Sequence, residues 1–387
     1  MEVRPGYKLT EVGVIPDDWV VAAISQVAPL QRGFDLPARS IKPGPFPIVY
    51  SNGSEGFHNV AMVKGPGVAT GRSGTLGKLH YIDSDYWPHN TSLWVTRFNE
   101  NDPKFIYYLY HSLHFERFAS GSGVPTLNRN DAHGHQIAVP RDRAEQRAIA
   151  TALSDVDALL AGLERLIAKK RDLKQAAMQQ LLTGQTRLPG FQGEWAMKRL
   201  GDVVETDPEN LVADTRADFF FNYIALEDVD RGFLRSYTEQ VFASAPSRAR
   251  RKLKANDVLV STVRPNLKSH LLFSRQMANW ICSTGFCVLR CREGVTNPTF
   301  IFSQLFAGEV NRQIDALLTG SNYPAINSGD VRALTIAFPE FDEQTAIATV
   351  LTDMATELTA LEARRDKTRS LKQGMMQELL TGRTRLV

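Results

Sequence analysis

Apolar positions in the last part of this chain recur with a helical period, and the same stretch occurs once before, near the middle. Residues 145–188 read EQRAIATALSDVDALLAGLERLIAKKRDLKQAAMQQLLTGQTRL, with apolar side chains at Ile149, Leu153, Val156, Leu160, Leu163, Ile167, Leu173, Ala177 and Leu181. Residues 343–386 read EQTAIATVLTDMATELTALEARRDKTRSLKQGMMQELLTGRTRL, with a stripe of Ile347, Leu351, Met354, Leu358, Leu361, Leu371, Met375 and Leu379. Aligned without gaps, 25 of 44 positions are identical. A stripe returning about every 3.5 residues predicts a long amphipathic helix with a seam wide enough for a second helix and a further partner. Gly184 and Gly382 follow the last apolar turn, where a glycine can close the helix end. Ser154-Asp155 and Thr352-Asp353 are good N-caps, so a jog is expected there. At ~1.5 Å per residue, roughly 38 residues span about 57 Å. Such a helix does not stand alone in water, and antiparallel pairing of the two copies would make a ruler with a module at each end. The seam has one polar interruption at equivalent places, Lys170 in one copy and Thr368 in the other, with Arg364 and Arg365 one layer earlier in the second copy. It reads either as a register-fixing polar layer or as solvent exposure.

Outside the repeat the period shortens. FPIVYSN, SLWVTRF, DVLVST and FCVLR are short apolar runs bounded by turn residues and predict strands, while 104–115 and 298–308 predict helices. The repeat also extends into these regions. GSGVPTLNRND at 121–131 matches GSNYPAINSGD at 320–330, and each precedes a strand-like run ending in proline. Each module also opens on a tryptophan, Trp19 or Trp195. The fold class is α+β, a twisted sheet with helices packed on it, given twice around a pseudo-two-fold axis.

Composition changes this picture little. The length of 387 residues suits two or three domains, and 43% hydrophobic with 22% charged residues is ordinary for a core-forming protein. A formal charge of +3 permits nucleic acid as a partner without demanding it. Cys282, Cys287 and Cys291 lack metal-ligand spacing, and ICSTGFCVLRC alternates like one buried strand, so they read as core thiols. An odd cysteine count, no signal-peptide pattern and no apolar run near ~18 residues lead us to expect a soluble, cytoplasmic protein without a membrane partner. His111, His114, His133 and His135 show no ligand spacing and read as satisfied histidines.

Polar loops carry the candidate chemistry. In 71–78 (GRSGTLGK), glycines permit close approach, and Arg72, Ser73, Thr75 and Lys78 could meet bases or phosphates; a tight hairpin with solvated charges is the other reading. In 261–268 (STVRPNLK), Ser261, Thr262, Arg264, Asn266 and Lys268 sit at the corresponding place, with a polar strand edge as the alternative. The shared loops add Asn128 and Arg129 in one copy and Ser321, Tyr323 and Asn327 in the other. Being shared, they suit a common task, phosphate contact or an Asx-type turn, better than discrimination. The basic run 248–254 (RARRKLK) reads as a phosphate track or as a solvated face. No FxGxG or NPPY pattern, nuclease PD…ExK or P-loop occurs; Asn297-Pro298-Thr299-Phe300 lacks the second proline. These absences argue against a self-contained modification enzyme.

The doubled PxxxEQxxIAxxLxxxD…LKQxxMQxLLTGxxRL, with KLTEVGVIPDDW at 8–19, GRSGTLGKLHY, NDVLVSTVRPN and SNYPAINSGD, resembles the specificity subunits of Type I restriction-modification enzymes over essentially the whole chain. The resemblance implies target recognition domains at 1–140 and 185–339, with spacer helices at 141–184 and 340–387. It implies no catalytic residue and no metal or cofactor here; S-adenosylmethionine, ATP and Mg belong to partner subunits. The implied partners are double-stranded DNA and two methyltransferase subunits, which can in turn recruit two restriction subunits. On the helices, Leu153, Leu160, Leu163, Leu173, Leu351, Leu358, Leu361 and Leu371 are the implied partner-binding positions. The alternative is an accessory DNA-binding scaffold of another defence system.

Overall fold

In the computed structural model the described residues are 3–120, 125–276, 278–318 and 324–386. The chain divides into two compact units: Met1–Arg165 with Ala363–Val387, and Leu166–Glu362. The division runs through the two long helices, Arg143–Leu181 and Phe341–Leu379, rather than at their ends. Each is one continuous helix of 39 residues, so the expected jog at Ser154 and Thr352 is absent. Those residues lie in mid-helix, where the backbone ladder already satisfies the groups that a cap would serve.

Each unit is built from the start of one long helix and the end of the other. In the first, Ile149, Ala150 and Leu153 share a core with Leu379 and Leu380, and with Trp19, Phe105, Tyr110 and Phe115. In the second, Ile347, Ala348 and Leu351 share a core with Leu181 and Leu182, and with Phe300 and Ile301. The helix segments inside a unit run antiparallel. Asp157 meets Lys372 at 2.6 Å and Glu164 meets Arg369 at 3.3 Å in the first unit. In the second, Lys170 meets Glu357 at 2.7 Å and Arg171 pairs with Glu362. The polar interruption is therefore bridged: Lys170 reaches across to a carboxylate, and buried Thr368 donates to the Arg364 carbonyl. Partly exposed pairs of this kind contribute less than about 1 kcal/mol each, so they set register more than stability.

The repeated Glu-Gln dipeptide explains itself in three dimensions. Glu145 is buried, accepts from Trp19 Nε1 at 3.2 Å and from Arg385 Nη2 at 2.8 Å, and Arg385 also binds Asp18 at 2.9 and 3.0 Å. Glu343 accepts from Trp195 Nε1 at 3.0 Å and from Arg187 at 2.5 and 2.6 Å. A carboxylate this deep is tolerated only when paired, and removing one partner typically costs about 3–5 kcal/mol. The bond to Glu145 and then that to Asp18 push the Arg385 guanidinium above its ordinary range, and Arg385 in turn holds Asp18 below its own. Next along, Gln146 donates to the Pro140 carbonyl at 2.9 Å and accepts from the Asp102 amide at 2.8 Å. Gln344 does the same with Pro339, 2.9 Å, and the Asn297 amide, 2.9 Å. Asn297 itself caps the helix Pro298–Gln304 and Asp102 caps Pro103–Ser112, which accounts for the Asn-Pro-Thr-Phe sequence as a helix start. Gly184 and Gly382 take φ of +72° and +69°, the left-handed helix end expected of them, against the rings of Trp195 and Trp19.

The modules share a sheet plan. In the first, four antiparallel strands run in the order Leu30–Arg32, Ser92–Val95, Gly67–Gly71, Leu79–Ile82. In the second the order is Val204–Thr206, Phe286–Cys291, Val258–Ser261, Leu271–Leu272. A two-stranded ladder anchors each module to its long helix, Trp19–Ala23 on Gln136–Pro140 and Ala196–Arg199 on Thr335–Phe338. The second module adds a further four-stranded sheet that includes Trp280–Ser283. The stretch ICSTGFCVLRC is thus two strands in different sheets, turned at Thr284-Gly285, not one. Cys282 and Cys287 are buried free thiols and Cys291 is half-buried; burial pushes the latter two up to about 12. No described helix is long and apolar enough to cross a membrane.

Candidate nucleic-acid interface

In both modules the link between the last two strands of the four-stranded sheet forms a tip, and both tips are braced by the segment leading to the shared asparagine. In the first, the Arg72 carbonyl accepts from the Leu127 amide at 2.9 Å and Ser73 bridges to Thr126. In the second, the Thr262 carbonyl accepts from the Ile326 amide at 2.9 Å, Val263 bridges to Ala325, and the Arg264 amide donates to Pro324 at 2.7 Å. The two loop sets singled out in each half of the sequence are therefore one surface in each module.

The shared asparagines serve as helix caps. Asn128 Oδ1 accepts from the Asn130 amide at 3.0 Å to start Arg129–His133. Asn327 Oδ1 accepts from the Asp330 amide at 3.0 Å, and the Asp330 carboxylate accepts from the Asn327 amide at 2.8 Å, to start Ser328–Ala333. Of the two tasks the sequence allowed them, the turn is the one their side-chain oxygens perform. Ser321 and Tyr323 lie outside the described residues.

The first tip, 71–78, is shaped by close approach. A Cβ on Gly71 would lie 1.7 Å from the Thr75 carbonyl oxygen, so only glycine fits. Arg72 and Ser73 are half-buried and Thr75 and Lys78 exposed, with Lys78 Nζ donating to the Asn52 carbonyl at 2.8 Å. Arg72, Asn128 and exposed Arg129 line a concavity of about 710 Å3. Its other wall holds Gln31, Arg32, Phe34 and Asp35, with Arg32 bonded to Asp35 at 2.9 Å. Sequence reasoning missed these last four residues, because the short strand Leu30–Arg32 carries no motif and reaches the tip only through sheet order.

The second tip, 261–268, has no glycine. Ser261 and Thr262, expected to face a ligand, are buried: the Ser261 hydroxyl donates to the Val263 carbonyl and that of Thr262 to the Gly285 carbonyl, both at 2.8 Å. They brace the loop, because a strand end buried on both sides must satisfy its own polar groups. Arg264 and Asn266 are exposed and Lys268 is half-exposed. Arg264 and Lys268 adopt left-handed backbone, φ +49° and +59°, flanking the turn Pro265–Leu267. Such residues cost roughly 1–3 kcal/mol each and cluster where function requires them. Behind them His270 is fully buried; its Nδ1 accepts from the Ser261 amide at 3.1 Å, while its Nε2 has no hydrogen-bond partner among the described residues. Burial, and then Lys268, push the His270 imidazole down to about 4.

The basic run 248–254 is partly neutralised. Arg251 pairs with Asp207 and Lys254 with Glu209 at 2.5 Å, and Lys254 and then Arg290 hold the Glu209 carboxyl below its usual range. It forms a strand of the module, Ala249–Leu253, more than a phosphate track. Among the histidines, His133 Nε2 accepts from the Leu30 amide at 3.0 Å and His135 contacts Arg117 at 2.6 Å. On the helices, Leu153 and Leu351 are interior to the module cores, Leu163 is buried, and Leu160, Leu358 and Leu361 are half-buried. Leu173 and Leu371 occupy the same position of the repeat and are 46% and 59% exposed.

A family model described as the Type I restriction modification DNA specificity domain matches residues 16–170 and again 192–368. The HindI specificity subunit of Haemophilus influenzae is 24% identical over 111 residues, which is 28% of this chain and 24% of that protein. That match spans about a quarter of the relative. The MjaVIII specificity subunit of Methanocaldococcus jannaschii is 22% identical over 304 residues, 72% of this chain and 70% of that one. Among solved structures, the S subunit of a type I restriction-modification system from M. genitalium superposes with a TM-score of 0.62 at 17% identity, covering 97% of this chain and 98% of that chain. A chain from a study of assembly and conformational transition in the type I R-M system gives a TM-score of 0.56 at 17% identity, covering 95% and 99%. At these identities the superpositions establish the fold.

Proposed function

The chain belongs to the Type I restriction modification DNA specificity family, and from that premise we propose that its two domains each read one half of a bipartite site in double-stranded DNA. It is a specificity subunit with two target recognition domains. The observation that carries the reading is the recurrence of one construction in both modules: a polar tip between two sheet strands, cross-braced to a capped helix start. Side chains on such tips can meet base edges, while phosphate contacts position the protein. In the first module the reading groups are Arg72, Thr75, Lys78 and Arg129, with Arg32 and Gln31 on the other wall of the concavity that Arg72 and Arg129 line. In the second they are Arg264, Asn266 and Lys268.

The paired helices fix the separation of the half-sites and bind two methyltransferase subunits. Leu173 and Leu371 support two equivalent docking points, since an exposed leucine at the same place in both copies earns nothing within either unit. The chemistry, with S-adenosylmethionine, ATP and Mg, then resides in those subunits and in any restriction subunits they recruit.

Long-read methylation mapping tests the reading: the chain is expressed with its adjacent methyltransferase gene in a methylation-free host, beside a control lacking the chain. An interrupted two-part motif that depends on the chain is the expected result. Stable co-purification without any modification would instead favour an accessory scaffold. Replacing Leu173 and Leu371 together by aspartate is expected to release the methyltransferase and abolish the motif while leaving the fold intact.

A further inference from the structure

Leu267 is 52% exposed at the tip of the second module, in the middle of a polar loop. Its neighbours are exposed Asn266 on one side and Lys268 on the other, with Arg264 at the start of the same turn. The first module makes the contrary choice: Leu76 of its tip packs against that module's core. Nor is Leu267 out for want of an anchor. Pro265 takes the inward place in the turn and is buried, the Leu267 amide donates to Arg264 at 2.9 Å, and the Lys268 amide donates to Pro265 at 2.8 Å. Two residues in left-handed backbone thus hold an apolar side chain in water, an arrangement with no return inside the isolated chain.

The occupant follows from chemistry. Arginine, asparagine and lysine match the donors and acceptors on base edges, and the one apolar group displayed in the major groove is the C5 methyl of thymine. We propose that Leu267 is a specificity-determining residue that contacts a thymine methyl group in the half-site read by the second module. This rests on the DNA-reading function proposed above. A leucine can also act as a wedge between base steps, but a wedge ignores the methyl group.

The test uses the intact complex of this chain with its methyltransferase, after its modified motif has been mapped. Each thymine in the second module's half-site is replaced singly by deoxyuridine, which removes the methyl and keeps the base pair. One such replacement is expected to weaken binding by wild type about four-fold, the worth of one buried carbon. Leu267→Ala should bind the unaltered duplex about four-fold more weakly and be indifferent to the replacement, whereas Leu267→Met should remain sensitive to it. Replacements in the other half-site should affect all three proteins equally. A half-site without thymine, or wild type indifferent to every replacement, overturns the inference while leaving the DNA-reading function standing. An alanine variant weakened equally on thymine and uracil duplexes, yet still sensitive to the replacement, also overturns it and points to a wedge. A complex with no sequence preference at all removes both.

Discussion

The two tips occupy the same place in the same sheet plan, yet they are built by different means. The first is folded by glycine: Gly71 lets the Thr75 carbonyl press against the strand end, Leu76 turns in, and Lys78 is tied to the Asn52 carbonyl. The second has no glycine and reaches its shape through strained Arg264 and Lys268, braced by buried Ser261, Thr262 and His270. Meanwhile the frame beneath them scarcely changes, with Glu145 and Glu343 each held by a tryptophan and by an arginine from the end of the other long helix. A frame fixed by buried ion pairs can stay the same while the tips built on it differ.

The difference can be broken first at His270. Its imidazole resists protonation in the fold, down to about 4, while the unfolded chain takes up the proton near its ordinary 6.5. Its contribution to stability is therefore complete above pH 6.5 and is lost as the pH falls from 6.5 toward 4, by roughly 3 kcal/mol in all. His80, after the first tip, is shifted the same way by burial but is less enclosed, so its own contribution should be smaller. Protection factors in the strand Val258–Ser261, with exchange corrected for the intrinsic rate at each pH, should fall accordingly from pH 7 to pH 4 in wild type. His270→Asn, which keeps an acceptor for the Ser261 amide, should remove most of that loss of protection; an equal loss in both proteins would refute the assignment.

How much of this could be read in advance differs between frame and tips. The long helices, their pairing and the α+β class were legible because the 44-residue repeat and its apolar period are local signals. The missed jog shows the limit of local reasoning: Ser154-Asp155 makes a good cap in isolation, but a helix already packed at both ends runs through it. Alternation makes 281–291 read as one strand, because it cannot reveal that Cys282 and Cys287 belong to different sheets. At the tips, residue type singles out Arg264, Asn266 and Lys268 together with Ser261 and Thr262, and only burial separates the exposed three from the two braces. Arg32 was invisible for the same reason, since it joins Arg72 and Arg129 only through strand order.

A second way to sharpen the contrast is to change the residue that ends the strand before each tip. Gly71→Ala places a carbon on the Thr75 carbonyl oxygen, and the loop must move, at a cost of about 2 kcal/mol typical of overpacking. Ser261→Ala leaves the second tip its backbone bonds and should cost about 1 kcal/mol, one hydrogen bond from serine to the Val263 carbonyl. Methylation mapping should show the first substitution degrading one half-site and sparing the other. Degradation of both half-sites by Gly71→Ala would mean that the frame does not insulate the tips.

The smallest effect concerns the two tip lysines. Lys78 already donates to the Asn52 carbonyl, whereas among the described residues no hydrogen bond is found for the Lys268 ammonium. A lysine that neutralises a phosphate releases counterions, so removing it should lower the slope of log affinity against log salt by about 1. Lys268→Ala should show close to that full decrement in binding titrations of the complex on its mapped duplex across a salt series. Lys78→Ala should show less, because its ammonium is partly spent on the Asn52 carbonyl and its loss first relaxes the tip 72–78. If instead Lys78 carries the larger slope, then the anchored lysine leaves Asn52 on binding, and the glycine-built tip is the one that reshapes on DNA.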